Sequence, residues 1–144
     1  MTTSIATPTT TLTARRALRT GGIVLAISVL ANVTAWGIAR MAGVSLLVTE
    51  PGATSPTAIG LPAVVAATVI PLIFGTLALT IASRWGHTAW SALAWLGLAL
   101  GVVTVFMPFT VDTDSATAAV LAAMHVVLGV VWFTTIRREV TEAA

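Results

Sequence analysis

The chain has 144 residues, of which 57% are apolar and only 8% charged, whereas an ordinary globular domain carries about 25% charged residues. So few charges cannot cover a water-exposed surface, and seven arginines against five acids, a net charge of +2, form no dense basic patch of the kind nucleic acid requires. The absence of cysteine removes disulfides, thiolate nucleophiles, iron–sulfur clusters and c-type haem attachment together.

Residues 1–14 are Thr-rich and uncharged, with Pro8, and hold too little apolar mass to pack; they are expected to form a disordered cytoplasmic tail. After Arg15, Arg16 and Arg19 a charge-free stretch runs from Gly21 to Ala39. At 1.5 Å rise per residue it nearly matches a hydrocarbon core of about 30 Å. The Arg15–Arg16 pair also resembles a twin-arginine or secretory leader, but a signal h-region is shorter and further apolar stretches follow, so a retained anchor is the expectation.

The connection from Met41 to Gly60 begins with Val44, Ser45, Leu46, Leu47 and Val48 and turns at Pro51–Gly52. Two readings stand for it: an extended segment lying over the mouth of a bundle, or a flexible linker dipping into the interface. A second span is expected over 61–82, with Pro62 in the first turn where its missing N–H costs nothing. A third is expected over about 88–109. A fourth over 115–136 follows Asp112 and Asp114, with Ser115 as its cap. Residues 139–144 are expected to be a short tail. The short connections make spans two and three, and three and four, antiparallel neighbours.

Arg15, Arg16, Arg19, Arg84, Arg137 and Arg138 fall on one side of this arrangement, with only Arg40 on the other beside Glu50, Asp112 and Asp114. The excess of arginine marks the cytoplasmic side, which predicts both termini inside. Trp85, Trp90 and Trp132 lie near span ends, where indoles favour the headgroup zone. The fold class expected is therefore all-α, a four-helix transmembrane bundle over 15–138 in a bacterial cytoplasmic membrane.

Polar groups at mid-depth are expensive in hydrocarbon and persist when satisfied or useful. Asn32, Pro71 and His125 fall there. His125 shares a face with Ala118, Ala122 and Gly129, small residues three or four apart that admit a second helix. Asn32 lies on a stripe with Ser28, Ala35 and Ala39, so a hydrogen bond between Asn32 and His125 is expected across spans one and four. His125 is then an interhelical clasp or, alternatively, a proton relay or the polar anchor of a ligand pocket, since imidazole is the side chain that changes charge near neutrality. Pro71 withholds an N–H from the carbonyl of Ala67, and with Thr68 and Gly75 on the same side the local loosening opens a polar recess beside Asn32; the alternative is a tolerated packing kink. Gly97 and Gly101 form a G-x-x-x-G face flanked by Ala94 and Thr104, suited to close packing within the bundle or between subunits.

The remaining polar residues suggest less. Asp112 and Asp114 resemble hard-cation ligands but are explained more simply as a helix cap, and Arg40 has Glu50, an Asp of the following turn or a lipid phosphate as partner. His87 lies at the membrane edge and cannot share an iron with His125. No phosphate loop, H-E-x-x-H or nucleophile elbow occurs, so no catalytic residue, metal site or cofactor is expected.

Several stretches together carry a resemblance: Ile38-Ala39-Arg40, Gly43-Val44-Ser45-Leu46, Gly60-Leu61-Pro62-Ala63-Val64-Val65, and Met124-His125-Val126-Val127-Leu128-Gly129. In these the chain resembles an uncharacterised family of small four-span membrane proteins from high-GC actinobacteria, a domain of unknown function. The resemblance covers about residues 15–138 and implies the same four-helix architecture without lending an activity. The expected role is a non-enzymatic structural or accessory subunit in the lipid bilayer, associating with itself or another membrane protein through Gly97 and Gly101. The alternative is a small-molecule or lipid binder or transporter with a midplane recess at His125, Asn32, Pro71 and Thr68.

Overall fold

The structure is a computed structural model that describes residues 12–143. Thr13 opens the first helix, α1 (Ala14–Met41), its hydroxyl accepting the N–H of Arg16 at 3.2 Å and so satisfying one of the orphan donors of the first turn. α1 ends at Ala42 and Gly43, whose φ of +76° is one that glycine adopts without a Cβ penalty. The chain then passes through β1 (Leu47–Thr49) and β2 (Thr57–Ala58) into α2 (Leu61–Ala82). A single 3-10 turn, Ser83–Trp85, and Gly86 at φ +68° redirect it into α3 (Gly86–Thr104). A second 3-10 turn, Met107–Phe109, and β3 (Asp112–Thr113) lead to α4 (Ser115–Glu142).

Three helical stretches are long and apolar enough to cross a membrane: Ala14–Met41, Leu61–Phe109 and Ser115–Glu142, with mean hydropathy of 1.9, 2.3 and 2.1. The middle stretch contains both α2 and α3, broken by the turn at 83–85.

The helix ends differ from the sequence expectation in three places. α1 begins at Ala14, ahead of the arginines, rather than at Gly21; of the tail expected over 1–14, residues 1–11 lie outside the described residues and Thr13 is a cap. α4 continues through Glu142 rather than giving way to a tail at 139. These two corrections have one cause: Arg16 pairs with Glu139 and, at 3.7 Å, with Glu142, while Arg138 reaches Glu142 at 2.7 Å. Charged ends of α1 and α4 thus hold each other in helical form beyond the apolar spans, and Val140 is buried behind them. The third correction is at the end of α3, which stops at Thr104 rather than 109. Pro108 has no N–H to continue the ladder and disfavours helical geometry in the residue before it.

The three strands form a small antiparallel sheet in the order β2-β1-β3, with Leu47 opposite Ala58, Val48 opposite Thr57 and Thr113, and Thr49 opposite Asp112. The segment after Val44 is thus extended and is stitched to the start of α4. Leu46 carries φ +50°, a left-handed conformation that costs a non-glycine residue about 1–2 kcal/mol. Its side chain is only 1% exposed, and its N–H donates to Thr117 Oγ1 at 3.1 Å; burial and that bond offset the backbone cost.

α3 lies chiefly against α4, and α1 lies against both α2 and α4, whereas α2 and α3 touch little despite being joined by a tight turn. The shared core gathers Ala17 and Val24 of α1, Leu79 of α2, Trp90 of α3 and Ile136 of α4. Many large apolar side chains, Leu30, Ile73, Phe74, Leu100 and Val103 among them, remain exposed on the outside of the helices.

Candidate functional site

The weak contact between α2 and α3 leaves a crevice. Its volume is about 560 Å³, inside the range of about 300–1,000 Å³ typical of small-molecule sites. Pro71, Phe74 and Gly75 form the α2 wall, Leu96, Gly97 and Leu100 the α3 wall, and α4 closes the floor with His125, Gly129 and Trp132. Glycines set the depth of this floor. A Cβ at Gly101 would lie 2.8 Å from the Cα of Gly129, and one at Gly97 would lie 2.1 Å from the Trp132 ring. α3 and α4 therefore meet backbone to backbone, and the indole of Trp132 fills the notch at Gly97. Trp132 is held in place by donating its Nε1–H to the carbonyl of Leu93 at 2.8 Å.

A second, smaller cavity of about 230 Å³ lies between α1, α2 and α4, lined by Asn32, Ala63, Val64, Thr68, Leu121 and Met124, with Ile59 of the loop before α2 as a further wall. Ala67, His125 and Leu128 are walls of both cavities. Ile59 is itself anchored, since its carbonyl accepts the indole N–H of Trp36 at 2.9 Å and its N–H donates to Leu46 at 2.8 Å. The sheet thus reaches the recess through Ile59.

The expected hydrogen bond from Asn32 to His125 is not formed. Asn32 Nδ2 donates to Thr68 Oγ1 at 3.0 Å, and Thr68 in turn donates to the carbonyl of Val64 at 2.8 Å. Because the single hydroxyl proton of Thr68 is used on that carbonyl, its oxygen can only accept from Asn32, which fixes the amide with NH₂ toward Thr68. Asn32 Oδ1 is left buried without a partner, although the residue is only 5% exposed. His125 is turned back on its own helix, with Nδ1 2.7 Å from the carbonyl of Leu121. A carbonyl cannot donate, so Nδ1 carries a proton. The two side chains nevertheless line one recess.

The other nominated residues divide between the two cavities. Thr68 belongs to the recess, and Pro71 belongs to the crevice rather than to the space beside Asn32. Gly97, Gly101 and Gly129 form a close helix-packing face that joins α3 to α4 within the chain. Ala118 and Ala122 are buried on α4. Trp132 is the site residue that sequence reasoning missed. Its place near a span end suggested an interfacial indole, whereas it is 6% exposed and packs on two glycines, Gly75 and Gly97. Two helical glycines, one on each neighbouring helix, were the available signal that a large ring needed space. Trp90, also expected at the interface, is wholly buried.

The sequence profile of a family of unknown function, DUF6069, matches residues 12–142. The chain belongs to the DUF6069 family. The match covers all four helices, so both cavities are built entirely from the family's shared region. No curated protein and no solved structure gives a significant match.

Beside the sheet, Asp114 accepts hydrogen bonds from the Ser45 hydroxyl and from the N–H and hydroxyl of Thr117, at 2.8 and 2.7 Å for the latter two. These donors favour the ionised carboxylate, with Ser45 the largest contributor, and hold its pKa at about 2. Asp114 is thus committed to capping α4. Arg40 stacks over the Trp36 ring at 6.0 Å, and among the described residues it has no ion-pair partner. At the other end Arg137 donates to Ser91 at 2.8 Å, joining α4 to α3.

Proposed function

We propose that this member of the family is a four-span protein of a bacterial cytoplasmic membrane that holds an apolar small molecule or lipid in the crevice between α2 and α3. In this reading α1, α2, α3 and α4 each cross the bilayer. The 22 residues of α2 and 19 of α3 give lengths of about 33 and 28 Å, enough for a span apiece. Both termini and the Arg84 turn lie in the cytoplasm, following the arginine excess at that end, and the sheet lies outside.

The observation that carries the binding role is the crevice itself: an apolar cleft open between two helices of a chain whose exterior is also apolar, with an imidazole at its inner corner. A filled bundle would have offered no such space. Small-molecule sites combine apolar walls with a few placed polar groups, and His125 supplies one. Binding is non-enzymatic, since a membrane enzyme needs several convergent polar groups, which the cleft walls do not bring together. The accessory-subunit reading loses its specific support because α4 occupies the Gly97 and Gly101 face.

The test is mild extraction from native membranes followed by native mass spectrometry of the intact chain. A stoichiometric small molecule or lipid that survives extraction is the expected result. A bare chain, or one accompanied only by another polypeptide, overturns the binding role.

A further inference from the structure

The recess shared by Asn32, Thr68 and His125 has a chemical polarity that the crevice alone does not reveal. The side-chain oxygen left without any partner, Asn32 Oδ1, is an acceptor, and the donor that remains is the second N–H of the same amide. Thr68 has spent its proton on Val64, and Asn32 has spent an N–H on Thr68, which leaves Oδ1 without a partner in a residue that is 95% buried by the complement of its 5% exposure. His125 has spent Nδ1–H on Leu121, and its Nε2 has no partner among the described residues. Pro71 adds to the same imbalance, because it offers no N–H to the carbonyl of Ala67, a wall of both cavities. A buried acceptor without a donor is costly, and the cost is relieved only by a group that brings a proton to share.

We propose that the recess selects the head of the ligand by hydrogen-bond donation: the bound molecule is a neutral alcohol on an apolar chain, its hydroxyl donating to Asn32 Oδ1 while the chain lies in the α2–α3 crevice. This inference rests on the binding role proposed above. The head is neutral because no carboxylate lines the recess to compensate an ammonium. A head that can only accept could meet the second N–H of Asn32 but would leave Oδ1 unsatisfied, so it is disfavoured against an alcohol. The cavities suit this division of labour: the recess of about 230 Å³ takes the head and the crevice of about 560 Å³ the chain, with Ala67, His125 and Leu128 between them.

The experiment uses the full chain in lipid nanodiscs doped with a diazirine-bearing hexadecan-1-ol or with its methyl ether, which has the same chain but no donor. Photolabelling is followed by intact mass and by peptide mapping. The alcohol should saturate labelling of crevice peptides at a mole fraction about tenfold or more below that of the ether, the effect of one or two hydrogen bonds in a dry site. Asn32→Leu should bring the alcohol to the level of the ether measured on the same variant, with the helical circular dichroism of the variant as the control for folding. If wild-type protein labels equally with both probes, the recess holds only water and the donor inference falls while the crevice role stands. A tenfold preference that survives Asn32→Leu also overturns the assignment. If neither probe labels crevice peptides saturably, the binding role itself is refuted.

Discussion

α3 has two neighbours, and its two sides are built in opposite ways. Toward α4 it presents Gly97 and Gly101, which bring the backbones together and seat the Trp132 ring. Toward α2 it presents Leu96 and Leu100, which with Phe74 leave a gap instead of interlocking. In hydrocarbon there is little hydrophobic force to close such a gap, because lipid tails are as apolar as leucine; association depends on close packing and hydrogen bonds. Small residues therefore decide which helix pairs seal, and bulky ones mark where a cleft persists. The tight turn between α2 and α3 does not override this, although it makes them neighbours in the chain.

The comparison breaks most readily at the sealed side. Gly101→Leu places a side chain where even a Cβ is 2.8 Å from the backbone of Gly129, a contact that no rotamer change relieves. Overpacking of this kind costs about 1–3 kcal/mol and occasionally more, so a large drop in the thermal midpoint in detergent is expected. An unchanged midpoint would mean that the α3–α4 seam is not the packed one.

On the open side the same kind of enlargement should leave stability alone and affect occupancy. Ala67 is exposed at the junction of the two cavities, and Ala67→Phe fills that junction without entering the core. Any ligand retained through extraction should be lost from this variant, as read by native mass spectrometry, while the thermal midpoint of the protein stripped of ligand stays within about 0.5 kcal/mol of wild type, as for changes away from packed features. Retention of the ligand at wild-type stoichiometry would place it elsewhere.

Thr68→Val sharpens the comparison between cavities. The replacement keeps the shape of the side chain but removes the acceptor of Asn32 Nδ2. Interhelical hydrogen bonds in bilayers are worth about 0.6 kcal/mol on average and up to about 1.7, so a modest destabilisation in reversible unfolding is expected. A loss above about 3 kcal/mol would show a polar network larger than the one bond.

The sequence carried the helical, apolar character of the chain, because hydropathy and residue spacing depend only on local order. It did not carry the partners. Asn32 and His125 both line the recess, yet a bond between them requires the helix rotation and spacing that only packing decides. Asn32 took the nearer Thr68, and His125 took a carbonyl one turn back on its own helix. The helix extensions at Arg16 and Glu139 were missed for a related reason. A charge-free window measures the apolar stretch, not the helix, and these two residues, 123 positions apart, stabilise each other's helices only once folded. Trp132 illustrates the same limit, since its notch is assembled from Gly75 on one helix and Gly97 on another.

The smallest effect is expected at Asp114, which lines neither cavity. Asp114 has its folded pKa lowered from 3.8 to about 2, chiefly by the Ser45 hydroxyl and then by Thr117. A depressed carboxylate contributes stability that is fully present above its unfolded value and is lost as pH falls through its folded value. The cap should therefore hold down to about pH 4 and weaken progressively toward pH 2, and because the carboxylate is exposed the slope should be shallow. Ser45→Ala removes the largest contributor, so its carboxyl titration, followed by NMR of labelled Asp114, should move upward toward 3.8. The thermal midpoint of that variant should then begin to fall at a higher pH than that of wild type. A titration that stays near 2 in Ser45→Ala would show that Thr117 holds the cap without Ser45.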